Sequence, residues 1–101
     1  MRLISQDGTI DVPYEHGSLC QGFIKGEEYL IYTISYYNYP SQKGTKLAEY
    51  RSKAKAIKAM EMLREEYLQY YTARSSEYWF AFNNPKVFKF PDDSEVEVQD
   101  E

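Results

Sequence analysis

Residues 51–74 read RSKAKAIKAMEMLREEYLQYYTAR, and this stretch decides the fold. Apolar side chains recur at Ala56, Met60, Leu63, Tyr67 and Tyr70, a spacing of four and three that lines one face of a helix. Lys53, Lys55, Lys58, Glu61, Glu65, Glu66 and Gln69 fall on the rest of the wheel. Neither glycine nor proline interrupts the run, so intrinsic propensity agrees with the pattern. Ser52 is the expected N-cap, its hydroxyl placed to accept from an amide of the first turn. The helix needs a sheet against its apolar stripe, and the flanking sequence supplies the strands.

Upstream, RLISQDGTIDV (residues 2–12) holds two short alternating runs around Asp7-Gly8, a hairpin signal, and Pro13 ends the second run. Tyr14 to Ser18 reads as a turn. Leu19 to Lys25 is a weaker strand, with Gly22 as a bulge candidate. After the turn Gly26-Glu27-Glu28 comes the strongest strand, Tyr29 to Tyr36 (YLIYTISY), apolar or aromatic on both faces. Such a strand is central and covered on both sides, which points to a homo-oligomer, a dimer or higher. Tyr37 to Thr45 is a loop rich in tyrosine, and Lys46 to Tyr50 is a short strand feeding the helix. Downstream, Glu77 to Phe82 and Lys86 to Phe90 read as two more strands. The expected fold class is α+β: one antiparallel sheet of about five to seven strands packed by one long helix.

The chain has 101 residues, enough for one core, with 43% hydrophobic and 17% aromatic content. The lone Cys20 has no internal disulfide partner, and His16 is the only histidine, so there is no Cys/His set for zinc. No window approaches the run of about 18 apolar residues that a membrane span needs. No signal-peptide pattern opens the chain, so a cytoplasmic protein is expected, without cofactor or membrane contact. Twelve basic and sixteen acidic residues give a net charge of −4. Six of those acids lie in residues 91–101, as Asp92, Asp93, Glu95, Glu97, Asp100 and Glu101. The domain expectation is therefore a folded unit over 1–90 and an acidic tail over 91–101. That tail reads either as a solvated end or as a strip that mimics nucleic acid on a basic partner.

Two places carry suggestive chemistry. Arg51, Lys53 and Lys55 crowd the helix N-terminus, where free amides and the macrodipole are already positive. A phosphate seated at Ser52 would offset them; a solvated basic face is the alternative. In EYWFAFNNP, Trp79 and Phe82 offer rings that could stack a base, and Asn83 and Asn84 offer amides that could read its edge. Packing in the core is the other use for those rings. No nucleophile elbow, Walker loop, metal-ligand set or paired-carboxylate motif marks an enzyme.

The blocks Met1 to Glu15, Ala48 to Tyr67 (AEYRSKAKAIKAMEMLREEY) and Val87 to Val96 (VFKFPDDSEV) resemble small prophage and phage proteins of Firmicutes. The order of N-terminal sheet, helix and C-terminal strand is also similar to the phage Thoeris anti-defence proteins. Those are oligomeric sponges that sequester a cyclic ADP-ribose signal. The resemblance implies a non-enzymatic counter-defence protein in the host bacterial cytoplasm that binds a phosphorylated cyclic nucleotide. No ligand residue of that family maps onto this chain. Two alternatives stand beside it: a protein-binding inhibitor of a host defence nuclease, and a phage accessory protein with no ligand.

Overall fold

The computed structural model describes residues 1–38, 43–76 and 86–98. In chain order the elements are β1 (Arg2–Ile4), β2 (Asp11–Pro13), a 3-10 turn at Tyr14–His16, β3 (Ser18–Lys25) and β4 (Leu30–Tyr37). There follow β5 (Thr45–Tyr50), α1 (Lys53–Ser76), β6 (Val87–Lys89) and a second 3-10 turn at Asp93–Glu95. The expected strand over 77–82 lies outside the described residues.

The α+β class stands, but the single antiparallel sheet does not. The strands form two sheets of three, ordered β2-β1-β6 and β3-β4-β5. The first is mixed, with β1 antiparallel to β2 and parallel to β6. The reason is local. Pro13 ends β2 and the 3-10 turn redirects the chain, so β2 does not run on into the next sheet. β1 instead takes β6 on its other side, with the Arg2 amide donating to the Lys86 carbonyl and the Phe90 amide to that of Ile4.

The Asp7-Gly8 signal marks the β1–β2 turn as expected. Gly8 is the one described residue in the left-handed region, at φ 77°. Asp7 Oδ1 accepts from the Ser5 hydroxyl (2.6 Å) and from the Thr9 amide (3.0 Å) and hydroxyl (2.7 Å). These bonds hold its carboxyl down at a pKa of about 2, the Ser5 hydroxyl contributing most.

β4 is central, as its composition predicts, and its C-terminal half is buried through Thr33, Ile34 and Tyr36. Gly22 is not a bulge; the β3–β4 register runs through it without a shift, and the irregularity falls between Ile34 and Ser35 against β5. Helix α1 lies on β4 and β5 and buries Ala56, Ala59 and Leu63, while Met60 and Tyr67 are half-buried. Two of these three buried positions are alanine, which keeps side-chain bulk small over that part of the helix face. The core is completed by Leu3, Leu47, Ala48, Tyr50, Phe88, Phe90 and Val96.

One close approach sets a prediction. The Tyr36 hydroxyl donates to the Pro13 carbonyl at 2.7 Å, fixing a buried ring against Gly17. A Cβ on Gly17 would overlap that ring, which has no room to swing away. Gly17→Ala is expected to cost about 1–3 kcal/mol, read as a lower urea midpoint with unchanged slope.

Candidate functional site

The helix N-terminus is built as its sequence predicts, with one addition. The Lys55 amide donates to Ser52 Oγ at 3.1 Å, so Ser52 is the cap. The first turn carries no acid of its own. An acid arrives from the chain's far end instead. Asp93 accepts from Lys55 Nζ at 2.8 Å through Oδ1 and from the Arg51 amide at 2.7 Å through Oδ2. Lys55 Nζ also donates to the Asp93 carbonyl at 2.9 Å. Burial alone would raise the Asp93 carboxyl, but the bonds from Lys55 and Arg51 and their charges outweigh it and hold the group below its usual range. The positive helix end is thus compensated by an anion from within the chain.

This arrangement places the predicted phosphate residues one by one. Arg51 commits its amide to Asp93 and lays its guanidinium over the Tyr29 ring, 4.9 Å from the centroid. Lys55 is half-buried and committed to Asp93, Ser52 is committed to the cap, and Lys53 is exposed. Beside them is a cleft of about 190 Å³ lined by Tyr29, Ile31, Glu49, Tyr50, Arg51 and Asp93. Two of its six lining residues are carboxylates, and ligand pockets ordinarily hold about 300–1,000 Å³. The base-reading residues Trp79, Phe82, Asn83 and Asn84 lie outside the described residues.

The segment after Pro91, expected as a tail, is packed through residue 98. The Asp92 amide donates to Glu95 Oε1 at 2.9 Å, and the Glu95 amide donates back to the Asp92 carbonyl at 2.9 Å, closing the turn at the residue spacing of a capping box. Val96 beyond it is 2% exposed. The Pro91 carbonyl accepts from Gln6 Nε2 at 3.0 Å and from the Tyr50 hydroxyl at 2.7 Å. Burial pushes that hydroxyl well above the ordinary tyrosine range. Asp93 is therefore held from both sides, by the helix end it serves and by the turn it belongs to.

A second surface was not singled out in the sequence. At the free end of the β3–β4 hairpin, Phe23 is 66% exposed, Ile24 50%, Tyr29 49% and Leu30 39%. The pairing sets Phe23 against Tyr32, Ile24 against Ile31 and Lys25 against Leu30, so apolar groups stand on both faces of the ribbon. Glu27 and Glu28 occupy the turn beyond them and are exposed. The alternation that reveals this patch was readable in both strands; what could not be read was that α1 covers only the other half of β4.

No described helix is long and apolar enough to cross a membrane. Among known proteins, no family model, no curated protein and no solved structure matches the chain.

Proposed function

We propose that this is a non-catalytic binding protein that recognises another protein through the tip of the β3–β4 hairpin, in the manner of an inhibitor of a host defence nuclease. The observation that carries the reading is the patch of Phe23, Ile24, Tyr29 and Leu30, large exposed apolar side chains gathered at the turn end of one hairpin. A small domain that leaves such groups in water gains by covering them. Glu27 and Glu28 at the turn suit a partner whose apolar contact is bordered by basic residues, as the nucleic-acid-binding face of a nuclease is. Sequestration of a cyclic nucleotide at the helix N-terminus is the less supported reading, because Asp93 already takes two of the donors a phosphate would use there, the Arg51 amide and the Lys55 ammonium.

The test is phage plaquing on hosts that each carry one defence system, with and without the protein. Leu30→Lys is expected to abolish protection, whereas Lys53→Gln, at an exposed position of the helix end, is expected to leave it intact. The reverse pattern would return the nucleotide reading and end this one. Both variants alter exposed side chains, so an unchanged melt shows that any loss is one of recognition.

A further inference from the structure

We infer that the outer edge of β3 pairs with the β3 of a second copy, antiparallel, joining two three-stranded sheets into one continuous sheet. The inference goes beyond the functional reading above and is tested on the purified chain alone. Among the described residues no strand pairs with that edge, since β3 ends the order β3-β4-β5, and within the strand the Gln21 side chain donates to the Gly22 carbonyl at 2.7 Å, a bond that pairing would exchange. The strand is 8 residues long, SLCQGFIK, with no proline, no bulge and a single charge, Lys25, at its last position. Natural edge strands are ordinarily blunted by such features, and a long edge without them templates pairing.

The opposite edge of the same sheet is treated differently. β5 carries a register irregularity opposite Ile34/Ser35, and its backbone is clasped by the β1–β2 loop. Gln6 Nε2 donates to the Glu49 carbonyl at 3.0 Å, the Glu49 amide donates to Gln6 Oε1 at 2.7 Å, and the Gln6 amide donates to the Leu47 carbonyl at 2.9 Å. The other sheet ends in strands of 3 residues, one of them closed by Pro13. Among the described residues one long edge is left without a strand partner, and a symmetric pair joins that edge to itself, leaving the clasped β5 edges outside. Association therefore closes at two copies rather than growing into a filament.

The occupant follows from the strand itself. A two-fold axis normal to the sheet keeps each face continuous, which requires a residue to sit opposite its own counterpart. Centring on Gln21 pairs Ser18 to Ile24 with the same residues of the second copy and sets Phe23 opposite the second copy's Leu19, on the face that also carries Ile34 and Tyr36. The exposed Phe23 ring thereby gains an apolar neighbour. The two Lys25 ammonium groups then lie about 27 Å apart along the strands, beyond the Debye length in physiological salt. Parallel pairing would instead set them side by side.

Sedimentation velocity of the full chain across the micromolar range is expected to show a dimer. Phe23→Lys should raise its dissociation constant about 100-fold or more. Leu30→Lys, on the same hairpin but one strand in from the edge, should leave it within about threefold. Gln21→Cys in a Cys20→Ser background should form an intermolecular disulfide on mild oxidation. A monomer throughout this range would overturn the proposal. So would a dimer that Leu30→Lys breaks and Phe23→Lys spares, or a dimer in which Gln21→Cys does not cross-link.

Discussion

Deleting residues 92–101 is expected to lower stability by about 3 kcal/mol or more, although the segment's composition reads as a solvated acidic tail. Burying Val96, which is 2% exposed, contributes about 1.5–3 kcal/mol. The bonds that Asp93 accepts from Lys55 and the Arg51 amide add about 1 kcal/mol, a value discounted because both side chains remain in part exposed. The positive helix end also loses the carboxylate bonded to it, which adds a few tenths more. For a chain of this size each kcal/mol moves Tm by about 4–8 °C, so the truncated form should melt at least about 12 °C lower.

The pH dependence separates the parts of that loss. The Asp93 carboxyl is held below its ordinary range in the folded state, so its contribution is fully present above the unfolded value of about 4. It disappears as pH falls through the lower, folded value. The gap in Tm between the full and truncated chains should therefore narrow on acidification and stay constant above pH of about 5. Asp7, depressed to about 2, is present in both forms and cancels from the difference. A gap that does not change with pH would mean that Val96 alone ties the segment down.

What the sequence disclosed and what it withheld divide along sequence separation. The period in 51–74 identifies α1 and its core face, and Ser52 identifies its cap, because those interactions span four residues or fewer. The strand runs and the Asp-Gly turn were legible for the same reason. The two-sheet arrangement was not, since the parallel β1–β6 pair joins chain ends and periodicity is silent about which strands meet. The anion at the helix end comes from Asp93, 38 residues beyond Lys55. One local clue to it was present: Asp92 and Glu95 stand three apart, the spacing of a capping box, before the apolar Val96. Net charge over the last residues obscured two valines that pack, Val96 fully and Val98 in part. The hairpin patch was hidden differently. Apolar faces on β4 were visible, but exposure at Tyr29 and Leu30 depends on where α1 stops covering the sheet.

Gln6 carries the other large expected effect, because one side chain closes three parts of the chain onto each other. It lies in the β1–β2 loop, and its amide group engages both backbone groups of Glu49 and the Pro91 carbonyl. Gln6→Ala removes three hydrogen bonds and strands the Glu49 amide, so a loss of about 2–4 kcal/mol is expected in urea titration. Gln6→Met, which keeps the volume, should recover little of it; recovery of most would assign the effect to packing instead. Gln6→Glu is the informative comparison. At neutral pH it keeps an acceptor for the Glu49 amide but turns the other oxygen, as a carboxylate, toward two carbonyls, so it should be at least as damaging as alanine. Protonation restores a donor at that position. Its folded pKa is raised, so its stability relative to wild type should improve as pH falls through the acid range, opposite in sign to the Asp93 dependence. Loosening the clasp also frees the β5 edge. If β3 pairs two copies as inferred, Gln6→Ala should convert a closed dimer into higher assemblies by opening the outer edges of the joined sheet. A destabilised variant that still sediments as a discrete dimer would show that the irregularity opposite Ile34 and Ser35 is enough to protect β5 without Gln6.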